Sequence, residues 1–187
     1  MKRILIAFAL VVALATIAFT FNGCASAVKN VDPTGQPFPT TQGKALDGRE
    51  YALPADFSGA PVLFLVGYVQ DAQFDLDRWI LGLLQAKTPV KIAELPTIDS
   101  LIATAFSSQI DQGMQSGIPS EDWASVITVY GGEGSKIVEF TGNEKPRNAR
   151  VLLLDARGQV VWFHDRGYSA GQVLELDARV RELSRAE

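Results

Sequence analysis

Eight consecutive residues, Pro61-Val62-Leu63-Phe64-Leu65-Val66-Gly67-Tyr68, carry no charge and set apolar groups at both odd and even positions. An extended strand with that pattern has two apolar faces, and each needs another layer of structure to cover it. A sheet with one wet face would leave half of these side chains in water. The run therefore predicts a central strand packed on both sides, and the rest of the chain has to supply the covers.

The flanking segments alternate in a way that can do so. Lys44 to Leu53, with Asp47-Gly48 inside it, reads as a hairpin. Asp71 is placed to cap a helix running to Gln85, with Leu76, Ile80, Leu83 and Leu84 on its apolar face. Val90 to Leu95 reads as a second strand and Ile98 to Met114 as a second helix. Ser125 to Tyr130 and Lys136 to Thr141 read as two further strands, joined by a glycine-rich hairpin loop from Gly131 to Ser135. Val151 to Leu154 and Gln159 to Phe163 form a closing hairpin around Asp155-Ala156-Arg157-Gly158. Ser169 and Gln172 make a capping box for a last helix, whose Val173, Leu176, Val180 and Leu183 face inward. The expected architecture is an α/β three-layer sandwich with an N-terminal hairpin and an inserted segment.

Ahead of this domain, Lys2 and Arg3 precede an uncharged run from Ile4 to Phe21, the layout of a secretory leader. The run closes on Phe21-Asn22-Gly23-Cys24, and Cys24 is the only cysteine of the chain. This stretch resembles the lipobox of bacterial lipoproteins, in which a small residue precedes a cysteine that becomes acylated. The resemblance implies a signal peptide over residues 1–23, lipidation at Cys24 and the lipid bilayer as a partner. An uncleaved transmembrane anchor is the competing reading, since about 18 apolar residues is the lower limit of a span. Both readings place the domain outside the cytoplasm. No Asp follows the cysteine, so the resemblance implies an envelope protein facing the periplasm, on the outer membrane in preference to the inner. Residues 24–39, rich in Ala, Thr, Pro, Gly and Asn, read as a lipidated flexible linker, and 40–187 as the folded domain. Loss of the leader removes Lys2 and Arg3 and moves the formal net charge from −4 to −6, which disfavours nucleic acid and anionic lipid surfaces as partners.

The segment Gly59-Ala60-Pro61-Val62-Leu63-Phe64-Leu65-Val66 resembles the first core strand of membrane-tethered thioredoxin-like proteins and peroxiredoxins. Val151-Leu152-Leu153-Leu154-Asp155, with Gly158 and Val160-Val161, resembles their closing hairpin. The resemblance covers most of residues 36–184 and implies a thioredoxin-like fold. It does not extend to the chemistry. Thiol-active members carry cysteines at the strand-to-helix junction, where Tyr68-Val69-Gln70-Asp71-Ala72-Gln73-Phe74 stands here, with Asp71 and Phe74 near the expected cysteine positions. A carboxylate cannot replace a thiolate in disulfide exchange or peroxide reduction. The cis-proline that the family places beside its active site is also missing, for the stretch reads Asn148-Ala149-Arg150. Copper delivery on related folds needs paired cysteines, and His164 with Met114 cannot make that soft site.

Gly167-Tyr168-Ser169-Ala170-Gly171 matches the G-x-S-x-G of hydrolase nucleophile elbows, and Ser169 with His164 is the alternative, enzymatic reading. That elbow sets its serine at the strand end and its histidine later in the chain, and no histidine follows Ser169. A helix N-cap explains Ser169 more simply. Gly131 to Lys136 lacks P-loop spacing, and Glu133 would repel a phosphate. Trp79, Trp123 and Trp162 are assigned to packing, and Asp71, Asp75, Asp77 and Arg78 to a solvated helix start that complements the helix dipole. No catalytic set, metal site or cofactor motif emerges. The expected function is non-redox binding of a peptide or envelope protein in a groove formed by Tyr68, Asp71, Gln73, Arg78, Arg150, His164 and Tyr168.

Overall fold

The computed structural model describes residues 27–186, so the leader and Cys24 lie outside the described residues. The strands are β1 (Thr41–Ala45), β2 (Glu50–Leu53), β3 (Val62–Gly67), β4 (Lys91–Ile98), β5 (Ile127–Tyr130), β6 (Arg150–Leu154) and β7 (Val160–His164). They form one seven-stranded sheet in the order β2-β1-β5-β4-β3-β6-β7. The helices are α1 (Gln73–Ala86), α2 (Leu101–Ala105), α3 (Ser107–Gly117), α4 (Gly131–Thr141) and α5 (Ala170–Ala186). None of them is long and apolar enough to cross a membrane.

The apolar run becomes β3, and all six of its residues are buried. β4 pairs with it in parallel, Leu65 opposite Glu94, and β6 pairs antiparallel, Val66 opposite Arg150. Leu63 and Leu65 join Val151 and Leu153 under α1 and α5, which contribute Leu76, Trp79, Leu83, Val173, Leu176 and Val180. Val62, Phe64 and Val66 turn to the other face, with Phe38, Phe57 and Ile137. There the rings of Phe38 and Phe57 meet Phe64 edge-on at 5.0 and 5.3 Å. Period-two alternation within one strand thus feeds two separate cores, as the sequence pattern requires. The fold is a mixed α/β sandwich with helices on both faces of the sheet.

Several local expectations need correction. Lys136 to Thr141 is not a strand but the second half of α4, and Gly131 to Ser135 is its start, not a loop. The β-branched and aromatic content of Lys136-Ile137-Val138-Glu139-Phe140-Thr141 suggests a strand, yet Gly134, Ile137, Val138 and Thr141 fall on one buried helical face. Gly134 lets that face approach the backbone: a Cβ would stand 3.2 Å from the carbonyl oxygen of Val129. On α1 the buried large apolar side chains are Leu76, Trp79 and Leu83, whereas Leu84 is 63% exposed. β4 extends to Ile98, and the helix expected from Ile98 to Met114 is broken into α2 and α3 at Phe106, whose backbone leaves the helical region. Ser100 caps α2 by accepting the N–H of Ala103 at 3.3 Å.

The expected linker is also not free over the residues described. Val28 and Asn143 exchange hydrogen bonds, Val31 donates to the Thr141 carbonyl, Gly35 donates to Val160, and Phe38 donates to Gly158. Phe38 is buried in the core. A Pro- and Gly-rich composition suits a flexible segment, but extended backbone that meets a sheet edge finds partners for its own polar groups.

Candidate functional site

Parallel pairing of β3 with β4 and antiparallel pairing of β3 with β6 bring one set of chain ends together. The C-termini of β3 and β4, the N-termini of α1 and β6, and the C-terminus of β7 all lie at the same end of the sheet. The residues expected to form the groove fall there, but the structure gives them different environments.

Asp71 is exposed and lies in a single turn from Gln70 to Ala72, ahead of α1 and not capping it. Its carboxylate meets Arg147 at 3.2 Å, an exposed pair that contributes little to stability. Four residues on, Asp75 is 3% exposed and contradicts the expected solvated helix start. Its carboxylate accepts the backbone N–H of Ala149 at 3.0 Å and of Tyr168 at 2.8 Å, and Arg78 donates to it at 3.1 Å. A carboxylate can receive several donors at once, so one side chain fixes α1, the chain before β6 and the chain after β7 against one another. Arg78 also donates through Nε to the Phe74 carbonyl and lies 5.9 Å over the Tyr168 ring. Gln73 is exposed and donates to Asp77 at 2.9 Å.

Arg150 is completely buried, which removes it from an open groove. Its guanidinium donates to the carbonyls of Gly142, Lys145 and Asn148 and to Oδ1 of Asn30. Burial draws its pKa downward, while nearby Tyr68 and Asp165 oppose the shift. The guanidinium lies 5.4 Å over the Tyr68 ring. Burial pushes the Tyr68 hydroxyl up to about 12, and that hydroxyl is 2.6 Å from Thr141 Oγ1. Tyr68 and Arg150 are thus parts of an internal polar lock around the residue 142–149 loop.

His164 points its Nε2 at the Gly167 carbonyl at 2.9 Å. A carbonyl can only accept, so Nε2 carries the hydrogen. The ring stacks on Trp162 with centroids 6.0 Å apart and tilts against Trp79 at 5.5 Å. Ser169 forms no hydrogen bond with His164, and its own carbonyl accepts the N–H of Val173 at 3.0 Å in the opening turn of α5. The geometry gives Ser169 no base.

An open cleft of about 740 Å³ lies at this end, between Asn30, Val31, Asp32, Glu144 and Lys145 on one wall and Phe163 to Ser169 with Gln172 on the other. Of the expected groove residues, His164 and Tyr168 line it; Tyr68, Asp71, Gln73, Arg78 and Arg150 do not. Asn30 was not singled out by the sequence, where it lies in the apparent linker. It donates to Asp165 at 2.7 Å, and its Oδ1 receives Arg150 and the Glu144 N–H. Beside the junction, on β4, Glu94 is 7% exposed, and burial raises its carboxyl to about 7, against a smaller opposing effect of nearby Gln73. Among the described residues, no group of three or more His, Cys, Asp or Glu side chains converges as a metal site would require.

No protein-family model and no curated protein matches the chain. Solved structures do. The thiol peroxidase from Chromobacterium violaceum is similar with a TM-score of 0.58 at 15% identity, over 83% of this chain and 91% of that one. The pneumococcal exposed lipoprotein thioredoxin (Etrx1) from Streptococcus pneumoniae gives 0.51 at 13% identity, over 75% and 99%. Reduced 2-Cys peroxiredoxin from Plasmodium vivax gives 0.52 at 11% identity, over 83% and 85%. Likeness at these identities concerns backbone architecture. The chain therefore has a thioredoxin-like fold, and with one cysteine in its whole sequence it has no Cys-x-x-Cys pair.

Proposed function

We propose that this chain is a lipid-anchored protein of the cell envelope whose thioredoxin-like domain binds a peptide or protein partner without thiol chemistry. The observation that carries the reading is the junction between β3 and α1: Asp71, paired to Arg147, and Phe74 stand near the positions where thiol-active relatives carry cysteines, and the described residues contain no thiol. Beside that junction, the cleft under His164 and Tyr168 keeps a binding-sized space at the sheet end. Its walls mix Lys145 and Arg166 with Asp32, Glu144 and Asp165, a lining suited to a polar extended segment carrying both charges. An envelope address rests on the leader-like N-terminus and Cys24, and one fold neighbour is itself an exposed lipoprotein.

Photo-crosslinking in intact envelopes tests the reading. A crosslinker placed at Gln172 on the cleft wall should trap a discrete protein band, and one placed at Arg157, at the far end of the sheet, should not. The purified domain should show no insulin-disulfide reduction. Equal labelling from both positions, or measurable reduction by a Cys24→Ser variant, would sink the proposal.

A further inference from the structure

The described chain is fixed to the domain from its beginning. Val28 donates to Asn143 Oδ1 at 2.7 Å, and the Asn143 N–H returns a bond to the Val28 carbonyl. Asn30 donates to Glu144 and to Asp165 and accepts from Arg150. All these partners lie at the end of the sheet where β6 begins and β3 stops. Val28 is four steps along the chain from Cys24, and an extended chain spans at most ~3.6 Å per residue, so a lipid on Cys24 could hold this end no more than about 14 Å from the bilayer surface. The opposite end, at the Asp155–Gly158 turn, is the full length of the strands further away.

The exposed apolar side chains are distributed the same way. Val31, Val69, Phe74, Leu101, Ile102 and Phe106 are 46, 43, 74, 79, 77 and 56% exposed. Val69 and Phe74 flank the β3–α1 junction; Leu101 and Ile102 open α2 just beyond the C-terminus of β4, with Phe106 at its close. The other exposed large apolar residues, Leu81, Leu84 and Leu174, sit on the outer faces of α1 and α5. Lys29, Lys145, Arg147 and Arg166 are exposed at the same end together with Asp32, Asp71, Asp99 and Glu144, so the charges around these apolar side chains are mixed in sign. A cluster of exposed apolar side chains suits the interface of a bilayer, where rings and branched chains enter the headgroup boundary.

We infer that the sheet end formed by the β3–α1 junction and α2 lies on the membrane surface, its occupant being the lipid interface itself. The inference rests on Cys24 as the attachment point, and it places the cleft next to the bilayer, so that a partner held there is presented from the membrane plane. The described residues contain the whole two-sided core, so the chain from Cys24 onward can be studied alone. Coupling Cys24 to a maleimide lipid in phosphatidylethanolamine–phosphatidylglycerol vesicles makes the test independent of acylation in the cell. An environment-sensitive fluorophore is attached through an azide side chain substituted at Ile102 or, for comparison, at Arg157. Brominated lipid should quench the probe at Ile102 severalfold more than the probe at Arg157, and Leu101→Ser with Phe106→Ser should weaken that quenching. Equal quenching at the two positions, quenching unchanged by the serine substitutions, or a probe at Ile102 that stays in water until a protein is added would each overturn the inference. The mass of the mature N-terminus isolated from cells reports on the attachment reading separately.

Discussion

Asp75, in the first turn of α1, accepts the backbone N–H of Tyr168 at 2.8 Å across 93 residues of sequence. The same carboxylate holds Ala149, so the three segments that frame the sheet end share one acceptor. Asp75→Ala leaves the buried N–H of Ala149 without its partner. Hydrogen bonds to charged groups contribute about 1.5–3 kcal/mol, so a loss of about 3 kcal/mol in urea unfolding is expected. Asp75→Asn keeps one acceptor oxygen and should lose less. A midpoint unmoved by Asp75→Ala would show that the loops are held elsewhere.

Arg150 makes a stronger demand, because its guanidinium serves three carbonyls and Asn30 at once. Arg150→Met preserves much of the volume and strands those acceptors, with an expected cost of about 3–5 kcal/mol. Arg150→Lys should rescue only part of it, since an ammonium lacks the planar fork. Thermal unfolding of both variants, with Asn30→Ala as a milder companion, tests the order Met, Lys, Asn30→Ala from worst to least.

Glu94 gives the molecule a pH dependence of defined sign. Its folded pKa of about 7 lies above the unfolded value of 4.5, so the folded state binds the extra proton between those pH values. Stability from this group is therefore full at acid pH and falls as pH rises through about 7, by a total on the order of 3 kcal/mol. Glu94→Gln should flatten the stability profile between pH 5 and 8 (~3 pH units across the titration) and raise stability at the alkaline end. Parallel profiles for the two proteins would assign the buried proton elsewhere.

Gly142 combines φ of +72° with close contact to the N-terminal segment: a Cβ there would overlap the Lys29 carbonyl and the Asn30 Cα. Gly142→Ala should cost about 1–3 kcal/mol and release the segment around Asn30. Limited proteolysis reads the release directly, as faster cleavage between Val28 and Asp32. Unchanged cleavage would mean that the segment is held by Gly35 and Phe38 alone.

Much of the fold was legible because its signals are local. The Pro61–Tyr68 run, the Asp155–Gly158 turn and the inward stripe of α5 each encode a period or a turn within a few residues. Helix α4 was misread for the same reason: Ile137, Val138 and Phe140 satisfy a strand preference locally, and only contact with β4 and β5 makes the face containing Gly134 decisive. Within the candidate site, residue types pointed to the right end of the sheet but not to side-chain environments. Asp75 and Asp71 are alike on paper, four residues apart, yet one is buried under two backbone donors and the other pairs in water with Arg147.

The sequence by itself determined that the chain has no Cys-x-x-Cys pair, since it holds one cysteine, and that a central strand needs two covers. Both follow from composition and short-range pattern, which no tertiary contact can alter. Tertiary structure decided that Arg150 is an internal lock and that the chain around Asn30 belongs to the domain, not to a linker. Those outcomes depend on partners as many as 135 residues away, and the free energy of a buried donor is set by whether such a partner arrives.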